Sequence, residues 1–179
     1  EYNPWFIKSR CPELIDKFNI PLDEYPRRCV NQIAGWEKEK NDILADGKVT
    51  HDRTREYASY IMEAVVTGVP YKIGGNVLNE GLISNLPADA CVEVPCLIDN
   101  MGVHPCKVGR LPVQLAAMNM TNINTQLMTI EAAVTKKREA IYQAAMLDPH
   151  TAAELSLDEI VTMCDDLIEA HGDYMKEYK

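Results

Sequence analysis

The residues in this chain that could do chemistry lie in separate stretches. Tyr2, Trp5 and Phe6 form an aromatic cluster at the start. A tyrosine can serve as a general base when a neighbouring cation or metal lowers its pKa from about 10. The same three residues also read as a hydrophobic anchor covering a surface. Arg27 and Arg28 fall where a helix is expected to begin, and cations there oppose the helix dipole. A ligand oxygen or carboxylate would offset that cost, and so would a surface salt bridge. Arg53 and Arg55 raise the same question more weakly. A third stretch, Asn79-Glu-Gly-Leu-Ile-Ser-Asn-Leu-Pro-Ala-Asp-Ala-Cys-Val-Glu-Val-Pro-Cys-Leu-Ile-Asp99, places Asn79 and Asn85 where a loop feeds a strand. Polar groups in such a place can line a ligand.

Other chemistries are absent from the pattern. No Gly-x-Gly-x-x-Gly stands at a strand–helix junction, and no Walker loop or Gly-x-Ser-x-Gly elbow occurs. The four histidines, His51, His104, His150 and His171, are scattered without His-x-x-x-His spacing. His150, after Asp148 and Pro149, reads as structural or capping. The six cysteines form no Cys-x-x-Cys pair and are expected to be reduced, mostly buried thiols. If one strand carries both Cys91 and Cys96, they point to opposite faces.

The elements that must position these groups follow from punctuation and periodicity. Pro4, Pro12, Pro21 and Pro26 make the first twenty-five or so residues an irregular, surface-wrapping segment. Helical spacing is expected from about Arg28 to Leu44, stopped by Asp46 and Gly47, and again from Asp52 to about Val66, stopped by Gly68. Gly74-Gly75 reads as the turn of a hairpin between Tyr71–Ile73 and Asn76–Leu78. Leu82-Ile83 and Cys91–Pro95 extend the sheet, with Pro95 at a strand edge or end. Asp99–Gly102 is a turn, followed by a return strand within Val103–Val108. Pro112 opens the longest helix, to about Val134, with apolar residues on more than one side, so it is expected to be buried. Lys136–Met146 and, after a Ser156–Glu159 capping box, Ile160–Ala170 are further helices. The organisation is α+β, a small sheet with several helices and no βαβ alternation.

With 179 residues the chain has the length of one domain or slightly more. Its apolar content of 46% suits a globular protein. A net charge of -9 and a pI near 4.9 suit a phosphate backbone poorly, so nucleic acid is not expected as a partner. No apolar run reaches membrane-spanning length, so no membrane partner is expected either. The aromatic start without an initiator Met reads as a cut inside a longer protein, with a processed terminus as the alternative.

Several segments carry a resemblance. Glu1-Tyr-Asn-Pro-Trp-Phe-Ile-Lys8, Pro21-Leu-Asp-Glu-Tyr-Pro-Arg-Arg-Cys29, Arg55-Glu-Tyr-Ala58, the Asn79–Asp99 stretch and Lys107-Val-Gly-Arg-Leu-Pro112 resemble the later part of a family 4 glycoside hydrolase. So do Ala144-Ala-Met-Leu-Asp-Pro-His-Thr-Ala-Ala153 and Asp165-Asp-Leu-Ile-Glu-Ala-His-Gly-Asp173. The resemblance implies a lactate/malate dehydrogenase C-terminal-domain-like fold. Residues 1–179 would be the C-terminal substrate and oligomerisation domain of a two-domain enzyme whose NAD-binding Rossmann domain lies outside this chain. The implied activity is hydrolysis of α-galactosides such as melibiose by oxidation at C3, elimination, addition of water and reduction. An α-glucosidase or α-galacturonidase of the same family, or a non-catalytic assembly domain, is the alternative. NAD and Mn²⁺ are the implied cofactors, held mainly by the missing part, with no metal ligand expected here; Cys91, Cys96 and His104 are not candidates. By resemblance Tyr2 matches the family's tyrosine base, with Trp5 and Phe6 standing where some members have tyrosines. Arg28 matches a substrate-contacting arginine, and Asn79 and Asn85 are candidates for shaping the substrate site. A small sugar substrate, a homo-oligomeric assembly and a cytoplasmic location complete the expectation, and the segment alone is expected to be inactive.

Overall fold

A computed structural model describes residues 5–46 and 52–179. The first region holds a short helix, α1 (Glu13–Lys17), and a long one, α2 (Glu24–Asp46). The second runs α3 (Ala58–Thr67), β1 (Tyr71–Leu78), β2 (Cys91–Asp99), β3 (Gly102–Pro105), α4 (Val113–Thr135), α5 (Arg138–Leu147), α6 (Thr151–Glu154) and α7 (Leu157–His171). A 3-10 turn, Gly172–Met175, follows α7. The α+β organisation is as expected.

The sheet is antiparallel, in the order β1-β2-β3. Its β1 departs from the hairpin reading of Gly74 and Gly75. Both glycines lie inside one continuous strand, with Gly74 opposite Pro95 and Gly75 opposite Val94. Neither has the positive φ a tight turn would need. Gly75 is there for close approach, since a Cβ on it would stand 2.7 Å from Cys96 Sγ.

Pro95 also departs from its expected place, standing inside the central strand rather than at an end. Its carbonyl accepts from Cys106 N–H at 2.8 Å. In a strand a residue's N–H and C=O point to the same side, so the missing donor faces the side where β3 stops at Pro105. The reciprocal bond to the Cys106 carbonyl is the one a proline cannot make, and regular pairing of β3 ends at Pro105. Asp99 and Gly102 close the β2–β3 hairpin as anticipated, with Asp99 Oδ1 accepting from Met101 N–H at 2.7 Å. The return strand is shorter than Val103–Val108, and Ile83 joins Gly109 in an isolated parallel bridge instead of extending the sheet.

Strict alternation along β2 puts Val92, Val94, Cys96 and Ile98 on the buried face and Cys91 on the exposed one. Cys91 and Cys96 therefore oppose each other as the period of two requires. The core lies between that face and α4, where Ile123, Met120 and Leu127 meet Ile83, Val92, Val94 and Cys96. α3 packs its Ala64 on the same sheet and stacks Tyr60 on Tyr71 at 5.0 Å. Arg53 lies 3.6 Å over the Tyr60 ring and pairs with Glu63 at 2.6 Å, which accounts for one of the unexplained arginines.

α4 begins at Pro112, whose carbonyl accepts from Leu115 and Ala116, and ends on Lys136 in the left-handed region. It is not buried all round. Ala116, Ile123 and Ala132 form the buried stripe, while Ile130 and Val134 are exposed. α3 is shorter than Asp52–Val66 and ends, as anticipated, at Gly68 with φ 73°. α7 opens on the expected capping box, with Ser156 and Glu159 satisfying each other's backbone N–H groups. The thiols are more exposed than expected: Cys96 and Cys164 are buried, Cys11 and Cys29 half-buried, Cys91 and Cys106 exposed.

Candidate substrate site

The head of α2 carries the first candidate. Asp23, with φ 55°, turns the chain, and Glu24 begins the helix four residues earlier than Arg28. Pro26 is tolerated because first-turn N–H groups have no intrahelical acceptor. Arg27 folds back to donate to the carbonyls of Leu22 (2.9 Å) and Asp23 (3.3 Å). Its guanidinium is therefore held by backbone carbonyls rather than by a carboxylate.

Arg28 has a different environment. It lines a groove of about 480 Å³ with Ile7, Ile20, Leu22, Tyr25 and Pro26. Its guanidinium makes no hydrogen bond or ion pair with the described residues, so its planar fork of donors is free to meet sugar oxygens or a carboxylate. Tyr2 lies outside the described residues; Ile7, five positions later, belongs to the groove wall.

The second candidate is the loop between β1 and β2. Asn79 has 0% of its surface exposed. Its Nδ2 donates toward the carbonyls of Ile83 (2.9 Å), Leu86 (2.9 Å) and Pro87 (3.0 Å), and its Oδ1 accepts from Ile83 N–H at 2.7 Å. Two N–H bonds serve three acceptors, so the amide is fully spent. Whatever Asn79 contributes to a site, it contributes by holding this loop. Asn85 exchanges a pair of hydrogen bonds with Leu111, at 2.9 and 3.0 Å, which fixes the residue just before Pro112. Val108 and Gly109 N–H groups donate to Leu82, and Ser84 N–H to Gly109, so the loop and the Lys107–Pro112 segment form one stitched unit. Asn85 is half-buried and keeps one N–H for a further acceptor. The groove at Arg28 includes neither asparagine.

A third group holds His150, expected to be structural or capping, together with Asp148 and Glu154, whose roles were not singled out from the sequence. Asp148 Oδ1 accepts from the N–H groups of His150 and Thr151, so the cap before α6 is Asp148, not the His150 side chain. An Asp followed by Pro is a turn signal that could have pointed to it. His150 Nδ1 is buried with no hydrogen-bond partner among the described residues. Nearby, Glu154 receives Ser9 and Lys8 from the far end of the chain. The Ser9 hydroxyl and N–H, aided by Lys8 and His150, hold the Glu154 carboxyl below the usual carboxylate range. Among the described residues, no three His, Cys, Asp or Glu side chains converge as a metal site. No described helix is long and apolar enough to cross a membrane.

A family model described as the family 4 glycosyl hydrolase C-terminal domain matches residues 1–151. The chain belongs to this family. It is 63% identical over 179 residues to alpha-galactosidase of Bacillus subtilis (strain 168), covering 100% of this chain and 41% of that protein. To alpha-galactosidase of Rhizobium meliloti (strain 1021) it is 31% identical over 186 positions, covering 99% and 38%. Two solved structures share the fold. A 6-phospho-alpha-glucosidase from gut microorganisms, in complex with NAD and glucose-6-phosphate, aligns with a TM-score of 0.68 at 24% identity, over 83% of this chain and 35% of that one. The 6-phospho-beta glucosidase of Thermotoga maritima, with manganese, NAD+ and glucose-6-phosphate, aligns at 0.65 and 20% identity, over 94% and 40%. The chain thus spans about two fifths of the length of the alpha-galactosidases it matches.

Proposed function

We propose that this chain is the C-terminal substrate and oligomerisation domain of a two-domain enzyme that hydrolyses α-galactosides such as melibiose. The observation that carries this reading is the 63% identity to an alpha-galactosidase along the full 179 residues. The other matched proteins include phosphoglucosidases at 30% identity and below, which favours galactosides over those substrates.

The reaction we propose proceeds by oxidation, elimination, addition of water and reduction, with NAD and Mn²⁺ as cofactors. NAD would supply hydride exchange and Mn²⁺ Lewis acidity. The 6-phospho-beta glucosidase of Thermotoga maritima, a structure of the same fold, holds both manganese and NAD+. The described residues do not converge as a metal site, and the candidate groove lacks the Gly-rich strand–helix turn that receives a dinucleotide pyrophosphate. We therefore assign the cofactors mainly to residues beyond these 179.

Within this chain, Tyr2 is the proposed base and Arg28 the proposed substrate ligand, its free guanidinium facing an open groove. Asn85 is proposed to reach the substrate or the loop beside it, and Asn79 to keep that loop in shape. The exposed apolar residues of α2, among them Val30, Ile33, Ile43 and Leu44, support a homo-oligomer. A cytoplasmic location completes the proposal.

The decisive experiment uses p-nitrophenyl α-galactoside. The full-length enzyme should turn it over only with NAD and Mn²⁺ present, and the 179-residue chain alone should not. Turnover by the chain alone, or an unchanged rate after chelation and dialysis, would reject the reading. Sedimentation of the full-length enzyme as a monomer would reject the assembly.

A further inference from the structure

A carboxylate on the four-residue helix α6 links the two described regions. Glu154 Oε2 accepts from the Ser9 N–H at 3.0 Å and the Ser9 hydroxyl at 2.6 Å, and its Oε1 lies 3.7 Å from Lys8 Nζ. The Ser9 bonds span 145 residues of sequence. The Lys8 and Glu154 side chains are each 16% exposed, while Ser9 is exposed, so the anchor lies at the surface with its ion pair partly covered. α6 does not need the carboxylate for its own ends, because Asp148 supplies its N-terminal cap.

The chain that Glu154 holds leads directly to the groove. Ile7, next to Lys8, lines both the Arg28 groove and a cavity of about 340 Å³ shared with His150 and Glu154. On the other side of Ile7, Phe6 packs edge-on against Phe18, at 5.2 Å between ring centroids. After Ser9, Cys11 N–H returns to Lys8 C=O at 3.0 Å. The strap of residues 5–11 is thus fixed at Phe6 by packing and at Ser9 by a charge-assisted pair of hydrogen bonds, with Ile7 between them.

We propose that Glu154 is a positioning residue for the Arg28 groove, anchoring Lys8 and Ser9 so that Ile7 stays in place as its wall. This rests on the reading of that groove as the substrate end. Misplacing a substrate-positioning wall by about 1 Å can cost on the order of a hundredfold in rate. Because its donors depress the Glu154 carboxyl, the anchor persists below the usual carboxylate range; the titratable groups facing it are Lys8 and His150.

The test uses the full-length enzyme loaded with NAD and Mn²⁺. Glu154→Ala should raise KM for p-nitrophenyl α-galactoside and lower kcat/KM roughly ten- to hundredfold. Amide exchange should quicken at residues 7–11 while protection in β2 and α4 is kept. Glu154→Gln retains an oxygen acceptor for Ser9 and should recover most of the loss. Faster exchange at 7–11 with unchanged KM would overturn the positioning role, and unchanged exchange would overturn the anchor. Loss of protection throughout β2 and α4 in both variants would reduce Glu154 to a structural residue and overturn the proposal. Arg28→Ala is measured in parallel. An unchanged KM there counts against the substrate reading of the groove, whereas the anchor is judged on Glu154→Ala.

Discussion

The two longest helices, α2 and α4, each have 23 residues and apolar side chains at helical spacing, yet their environments differ completely. α4 lies on the sheet, and its Ala116, Ile123 and Ala132 are buried. None of the described side chains of α2 is buried, and Ile33 is 76% exposed. Apolar periodicity makes a helix amphipathic; it does not supply the surface that would cover it. The sheet supplies that surface for α4. α2 is supported within this chain by its backbone ladder, the Arg27 fold-back and exposed pairs such as Lys40 with Glu37. The body of the fold is therefore held by burial, and the arm that carries Arg28 by local bonds and the Glu154 anchor.

The largest test of this contrast lies in the body. Asn79→Asp would set a carboxylate against the carbonyls of Ile83, Leu86 and Pro87 and should cost several kcal/mol or prevent folding. Asn79→Ala, which leaves those groups buried without partners, should cost about 2–4 kcal/mol in urea unfolding. Next, Ile123→Ala should cost about 2–4 kcal/mol, whereas Ile33→Ala in α2 should stay within about 0.5 kcal/mol in the isolated chain. Equal losses from the two would erase the distinction between the helices. In the full-length enzyme, Ile33→Ala should instead weaken assembly, read as a lower mass in sedimentation.

Arg28→Ala should leave the melting temperature unchanged and lower kcat/KM roughly ten- to hundredfold, the loss expected for a charged hydrogen bond. A fall in melting temperature with unchanged kinetics would make Arg28 a structural residue of the arm. The smallest effect concerns acid. Hydrogen bonds from the Ser156 N–H and hydroxyl depress the Glu159 carboxyl, and His104 followed by Met101 N–H depress Asp99. Carboxyls lowered in the folded state contribute stability above their ordinary pKa of about 4, which is lost as pH falls through the folded value. The urea midpoint should therefore drop below pH 4, and Ser156→Ala should make that drop shallower. The same slope in both proteins would remove the capping box from the pH response.

Much of the chain was legible residue by residue. The Ser156–Glu159 box, Gly68 as a helix stop, Pro112 as a helix start and the Asp99–Gly102 turn depend on bonds within a few positions, so local chemistry reveals them. Gly74-Gly75 misled because glycine serves both turns and close approach, and only the Cys96 sulfur on the neighbouring strand decides which. Pro95 misled for a similar reason: whether its missing donor matters depends on where β3 ends. In the site, the unusual charge at Arg27 and Arg28 was visible, but their different fates were not. Arg27 reaches back to Leu22, while Arg28 opens onto a groove whose Ile7 wall is folded in from a distant turn.

By itself, then, the sequence determined the longer helices, the capping box of α7, the alternation of β2, the α+β class and the family resemblance, but not α1, α6 or the Asp148 cap. Each rests on periodicity, on groups a few residues apart or on matching segments. Tertiary structure alone decided that Asn79 is locked into its loop, that Asn85 meets Leu111, that α4 is covered while α2 is bare, and that Glu154 holds Ser9. Those contacts depend on surfaces and partners brought together from separate parts of the chain, and local spacing carries no information about which distant group will fill a hydrogen bond or a groove.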